Sequence, residues 1–153
     1  MNRTKLKILA IASVGGHWIE LLRITQGLET AGELVFVSTH DKCKTMVTGH
    51  KYYTVSDFSR WNFYKSIPVF FKALRILFKE NADVVITTGA APGLIFLFAA
   101  KLSGKKTIWI DSVANVLHLS MSGRIASKFA SQTYTQWEEL SNEKIFFAGN
   151  VLD

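Results

Sequence analysis

A chain of 153 residues and 17.2 kDa is the size of one ordinary domain, and its 48% hydrophobic fraction is enough to bury a real core. Two prolines, ten glycines and 20% charged residues exclude collagen-like, low-complexity and disordered character. A net charge of +6 and a pI near 9.5 admit nucleic acid, an anionic membrane surface or a phosphate-bearing ligand as partners, while the single Cys43 excludes an internal disulfide or a cysteine metal cluster and fits a reducing compartment.

The basic start Met1–Lys7 is followed by only a short apolar stretch, which breaks at Ser13-Val14-Gly15-Gly16, so no signal peptide is expected. The most apolar run, Gly93–Ala100, is far below the roughly 20 residues needed to cross a bilayer. The expectation is a soluble or peripheral protein. Neither an internal repeat nor a linker-like tract interrupts residues 1–153, which read as a single domain.

In chain order, Lys7–Ala12 reads as a buried strand ending in a glycine turn. His17–Glu29 follows with apolar residues at helical spacing. Leu34–Ser38 and Tyr52–Val55 are strands, and a long helix runs from about Asn62 to Glu80. Val84–Thr87 is a strand, Pro92–Ser103 a helix with proline in its first turn, and Thr107–Ile110 a strand. A helix over Gly123–Ala130 and a strand at Ile145–Phe147 complete the series. Apolar strands without polar alternation are covered on both faces, which predicts an α/β fold with a parallel sheet. Such sheets bind ligands at the carboxyl ends of their strands, so the loops Ser13–His17, Thr87–Gly93 and Asp111–Val116 are the candidate sites.

Gly15 and Gly16, after Ser13, let the backbone turn sharply and let a ligand approach the amides at a helix N-terminus, an arrangement that suits a phosphate or diphosphate. A tight strand-to-helix turn accounts for the same glycines. The spacing is neither the dinucleotide GxGxxG nor the Walker pattern. His17 stands in the first helical turn, where the dipole favours the neutral ring, and is the candidate general base; a capping or solvent-facing histidine is the alternative. Glu20, one turn on, either orients that ring or faces water. His40, His50 and His118 carry no metal-ligand spacing, so no metal is expected.

Thr88 and Gly89 belong to a second small-residue loop, which with the first could hold a diphosphate between two helix N-termini or be an independent turn. Asp111 and Ser112 either bond a sugar hydroxyl or cap the following segment, capping being favoured. The adjacent Glu138 and Glu139 diverge and make no acid/base pair.

The segment at 61–79 is amphipathic, with Phe63, Ile67, Phe70, Phe71 and Leu74 at helical spacing and Lys65, Lys72 and Arg75 on another face. Trp61, Tyr64, Val69 and Ile76 widen its apolar side. A basic, aromatic-rich helix suits a membrane interface; a core helix with a solvated lysine face is the competing reading. Nucleic acid is disfavoured, because the cations are mixed with bulky aliphatics and no binding motif appears.

The succession Ser13-Val14-Gly15-Gly16-His17-Trp18-Ile19-Glu20-Leu21, Thr87-Thr88-Gly89-Ala90-Ala91-Pro92-Gly93, Ile110-Asp111-Ser112, Gln136-Trp137 and Gly149-Asn150 resembles a known group. It is similar to the family of the membrane-recruiting subunit of the eukaryotic UDP-N-acetylglucosamine transferase acting second on the dolichol pathway, whose bacterial relatives are the PssD, EpsE and CpsF type polysaccharide-biosynthesis proteins. Its most specific part, the glycine-glycine-histidine turn, is shared with MurG.

The resemblance implies a Rossmann-like domain equivalent to the N-terminal half of a GT-B glycosyltransferase, with a separate UDP-sugar-binding chain as partner and a polyprenyl-diphosphate-linked sugar as acceptor. Transfer would be inverting and metal-independent, would need no cofactor, and would fail with either chain alone. Gly15, Gly16, Thr88 and Gly89 would face the acceptor's diphosphate and His17 its reacting hydroxyl. Without the transmembrane helix of the eukaryotic members, recruitment would be peripheral, for a cytoplasmic protein on the inner face of the plasma membrane. The alternatives are a non-catalytic adaptor that recruits and activates a complete transferase and, less favoured, a dinucleotide-binding protein.

Overall fold

The computed structural model describes residues 5–153. Seven parallel strands form one sheet: β1 (Leu6–Ala12), β2 (Gly32–Ser38), β3 (Lys51–Thr54), β4 (Val84–Gly89), β5 (Lys106–Ile110), β6 (Gln132–Thr135) and β7 (Ile145–Phe147). Their spatial order is β3-β2-β1-β4-β5-β6-β7, so the chain reverses direction across the sheet between β1 and β4. Four α-helices connect them: α1 (Gly16–Thr25), α2 (Ser66–Glu80), α3 (Ala91–Leu102) and α4 (Met121–Ala126).

Strand pleating divides the core. Leu9 and Ile11 of β1 point to one face and pack with α2 and α3 through Val69, Ala73, Leu77, Phe96 and Leu97. Ile8, Ala10 and Ala12 point to the other, against Trp18 and Leu21 of α1. Burying each such large side chain contributes about 1.5–3 kcal/mol. Because α1 leaves β1 onto one face and α3 leaves β4 onto the other, a crevice opens between the two carboxyl ends, the place where doubly wound sheets take ligands.

Several edges differ from the sequence expectation. α1 ends at Thr25, whose hydroxyl donates back to the Leu21 carbonyl, and residues 26–31 continue as turns. The long segment near Asn62 is two pieces: a 3-10 turn over Arg60–Lys65, capped by Ser59, then α2, with Asn62 itself non-helical. α4 stops at Ala126 and Ser127–Ala130 follow as turns. β6 has no apolar run to announce it, because its buried side chains are Thr133 and Thr135.

At the amino ends of the strands Glu80 is buried and accepts from Tyr53 Oη, from Lys51 Nζ at 3.1 Å and from Lys7 Nζ at 3.5 Å. Burial pushes its carboxyl up, but the phenol and the two ammonium groups outweigh burial and hold it below the usual range. Burial, and then Glu80, push the Tyr53 phenol up to about 12. A depressed folded-state value means that the Glu80 contribution is complete above its unfolded value, about 4.3, and is lost as pH falls through the folded value. Equilibrium unfolding followed against pH should therefore show acid destabilisation that Glu80→Gln flattens; an unchanged acid limb would contradict the cluster's role.

Candidate functional site

β1 and β4 deliver their glycine turns to the same crevice. Gly15 takes φ 108° and ψ −143°, a backbone region essentially closed to side chains, and serves as the N-cap of α1 without any side-chain cap. Gly15 and Gly16 are exposed, so the first amides of α1 face open space. A Cβ built on Gly16 meets nothing within 4 Å. Ser13 is buried, and its Oγ finds no partner among the described residues.

The second turn is tied to the first. The β1–β4 register slips between Ile11 and Ala12, pairing Ala12 with Gly89 and leaving Thr88 as the extra residue of a bulge. Thr88 Oγ donates to the His17 carbonyl at 2.6 Å, and His17 Nδ1 lies 3.1 Å from the Thr88 carbonyl. A carbonyl only accepts, so Nδ1 is the donor in this bond, and Nε2 has no partner among the described residues. Gly89, at φ 130°, lets the ring sit there: a Cβ would stand 3.0 Å from its Nδ1 and Cε1. The next residue, Ala90, holds φ 66° and ψ 171°, a strained conformation at the uncapped start of α3. Thr88 and Gly89 thus shape the crevice. The Thr88 hydroxyl and the Gly89 N–H, which donates to Thr87 Oγ, are both engaged within the protein.

Glu20 neither orients His17 nor faces water. It is buried and accepts from Ser112 Oγ at 2.7 Å, Gln136 Nε2 at 2.8 Å and the Val113 N–H at 3.3 Å, clamping α1 to the loops after β5 and β6. Asp111 is buried too. Its carboxylate accepts from Trp109 Nε1, Asn115 Nδ2, and both the N–H and the hydroxyl of Ser120. Of the two roles open to it in the sequence, the capping one is what these bonds perform. Gln136, with no role assigned from the sequence, also donates to the Asp111 carbonyl and accepts from the Val151 N–H. Its only sequence signal is its place beside Trp137, whose Nε1 donates to the Val113 carbonyl.

Around the α2 segment, Trp61 is 84% exposed, Phe63 64%, Ile67 62% and Phe71 63%. Phe70 and Leu74 are half-buried against the core, and Val69 and Ile76 are buried in it, so the exposed apolar stripe is narrower than helical spacing alone suggests. Arg60 lies 5.0 Å over the Trp61 ring, Lys72 Nζ donates to the Thr54 carbonyl, and Lys65 and Arg75 flank the stripe. A wide groove lies elsewhere. Its 990 Å3 runs over the α1 side of the sheet, between Ile24, Ile108, Ile110 and Tyr134 and the tail at Val151. Among the described residues no group of His, Cys, Asp and Glu is placed to hold a metal, and no helix is long and apolar enough to cross a membrane.

Comparison with known proteins decides the lineage. Residues 38–150 match the family model described as "Oligosaccharide biosynthesis protein Alg14 like". The chain belongs to the Alg14-like family. It is 25% identical to the UDP-N-acetylglucosamine transferase subunit ALG14 of Yarrowia lipolytica, over 90% of this chain and 76% of that one. Acinetobacter baumannii MurG superposes with a TM-score of 0.79 at 14% identity, over 95% of this chain and 46% of its own. UDP-N-acetylglucosamine 2-epimerase from Rickettsia bellii gives 0.73 at 16%, over 97% and 46%. This Alg14-like chain therefore spans a little under half of those solved structures, and its fold is the Rossmann-like domain of the GT-B type.

Proposed function

We propose that this chain is the acceptor-binding subunit of a two-chain, inverting glycosyltransferase working at a membrane surface in oligosaccharide or polysaccharide biosynthesis. The reading is carried by one observation: an exposed, uncapped Gly15-Gly16 helix start beside a histidine whose Nδ1 is engaged and whose Nε2 is open. The family and the ALG14 relative's description as a transferase subunit support a partner chain that supplies a UDP-sugar.

In this reading the α1 amides and Ser13 hold the diphosphate of a polyprenyl-diphosphate-linked sugar. The exposed aromatics from Trp61 to Phe71, with Arg60, Lys65 and Arg75, rest on an anionic bilayer that carries the prenyl chain. The acceptor hydroxyl attacks the anomeric carbon of the donor sugar as its bond to the diphosphate breaks. UDP leaves with the bonding electrons, and His17 Nε2 takes the hydroxyl proton. Bringing donor and acceptor together from two chains supplies part of the rate through positioning.

The test is titration of the isolated chain with a short-chain prenyl-diphosphate sugar, followed by amide NMR shifts and calorimetry. The expected result is binding that perturbs Gly16, His17 and Ala91. Gly16→Ala should fold normally, since its methyl meets no protein atom within 4 Å, yet weaken binding by about tenfold or more by occupying the space of the phosphate. Binding that leaves these amides unmoved, or that Gly16→Ala does not weaken, would refute the acceptor site.

A further inference from the structure

The apolar stripe before and along α2 is not the only greasy projection at this edge of the sheet. In the loop between β5 and α4, Leu117 is 86% exposed and is accompanied by exposed Val116, Met121 and Ile125. The loop does not hang loose. Asp111 grips its two ends through Asn115 and Ser120, and the buried Leu119 plugs it into the domain. Val116 and Leu117 are therefore held out in solvent by a fixed base.

All strands are parallel, so the segments that follow β3 and β5 emerge at the same edge. In the strand order, β1 and β4, which carry the two glycine turns, lie between β3 and β5. One apolar projection thus stands on each side of the crevice. Charge completes the pattern. Residues 57–137 carry ten Lys and Arg against four Asp and Glu, while the rest of the chain holds eight of each sign. Of those four acids Glu80 and Asp111 are buried; of the ten cations Arg60, Lys65, Lys72 and Arg75 lie on the segment that bears the first projection, while Lys79, Lys101, Lys105 and Lys106 lie toward the opposite edge, where β4 and β5 begin. Exposed Arg124 and Lys128 follow Leu117 with no acid between residues 112 and 137.

We infer that the Val116–Leu117 loop is a second membrane anchor, which enters an anionic bilayer beside the Trp61–Phe71 segment and fixes the sheet edge with its glycine turns toward the lipid. Cations on the same segments as the apolar tips match an anionic headgroup layer over hydrocarbon; a protein surface of ordinary mixed charge offers no such match. The inference rests on the membrane reading above and adds orientation to it: two contacts that straddle the crevice prevent rotation about either one, so a lipid-linked diphosphate meets the α1 amides directly.

The experiment compares binding of the full chain and two variants to vesicles of phosphatidylcholine with and without phosphatidylglycerol. Both variants, Val116→Ser/Leu117→Ser and Trp61→Ser/Phe63→Ser, change exposed side chains only, and melting curves confirm their folding. The expected result is that each loses about tenfold or more in partition to the anionic vesicles. A nitrobenzoxadiazole label on Leu117→Cys should shift its emission to the blue on vesicles, Cys43 being buried from the reagent. If the unaltered chain fails to bind anionic vesicles, the membrane reading and this inference both fall. If it binds and only the Trp61/Phe63 variant is weakened, this inference alone falls. It falls as well if the loop variant keeps vesicle binding but loses association with the donor chain, since the loop is then a protein interface.

Discussion

Replacing His17 with alanine is expected to lower the turnover of the paired enzyme by about 10²–10⁴-fold while leaving its association with the donor chain intact. The expectation follows from how the ring is held. The Thr88 carbonyl fixes the tautomer, the Thr88 hydroxyl holds the His17 backbone, and Gly89 makes the space the ring occupies. A ring held by the Thr88 carbonyl and packed over Gly89 keeps Nε2 aimed without rearrangement in the transition state, which is what a general base needs. The cost in stability is small, about 1 kcal/mol for the single hydrogen bond lost. Steady-state kinetics separate the effects: turnover should fall while the acceptor KM changes little. Unchanged turnover would remove His17 from the chemistry and favour a chain that recruits and activates a complete transferase.

The second large effect concerns stability. Asp111→Ala should destabilise the domain by about 3 kcal/mol or more, because four donors lose one buried acceptor and the loop that carries Leu117 loses its base. For a chain of this size that is a fall in melting temperature of about 6–12 °C. Differential scanning calorimetry decides the matter. A variant that melts normally but no longer uses acceptor would return Asp111 to the sugar-binding role that its position after β5 also suggests.

Much of this architecture is legible from residue order because its strands are unbroken apolar runs. Lys7–Ala12, Leu34–Ser38, Val84–Thr87 and Thr107–Ile110 can be buried only between two helical layers. β6 escapes that logic because threonines fill its buried positions, and α1 ends early because Thr25 bonds back to the helix ahead of Gly27. Both glycine turns stand out from composition alone. Their coupling does not: His17 and Thr88 lie 71 positions apart and meet only because β1 and β4 are neighbours in the sheet. The same holds for Glu20, an amphipathic-helix glutamate in sequence and a buried clamp in space, whose partners Ser112 and Gln136 come from two later loops. The α2 stripe is readable as amphipathic, but which of its aromatics stay in water depends on α3, against which Phe70 rests through Phe98.

The proposed catalytic cleft is divided between two polypeptides, with the acceptor on this one. It is tested most directly by measuring sugar transfer from a UDP-sugar to a prenyl-diphosphate-linked acceptor with this chain, with its donor-binding partner, and with both. Background rates are expected for each chain by itself and turnover only when they are combined, lost again when the added chain carries His17→Ala. Full transfer by the partner without this chain, or by this chain without the partner, would contradict this division.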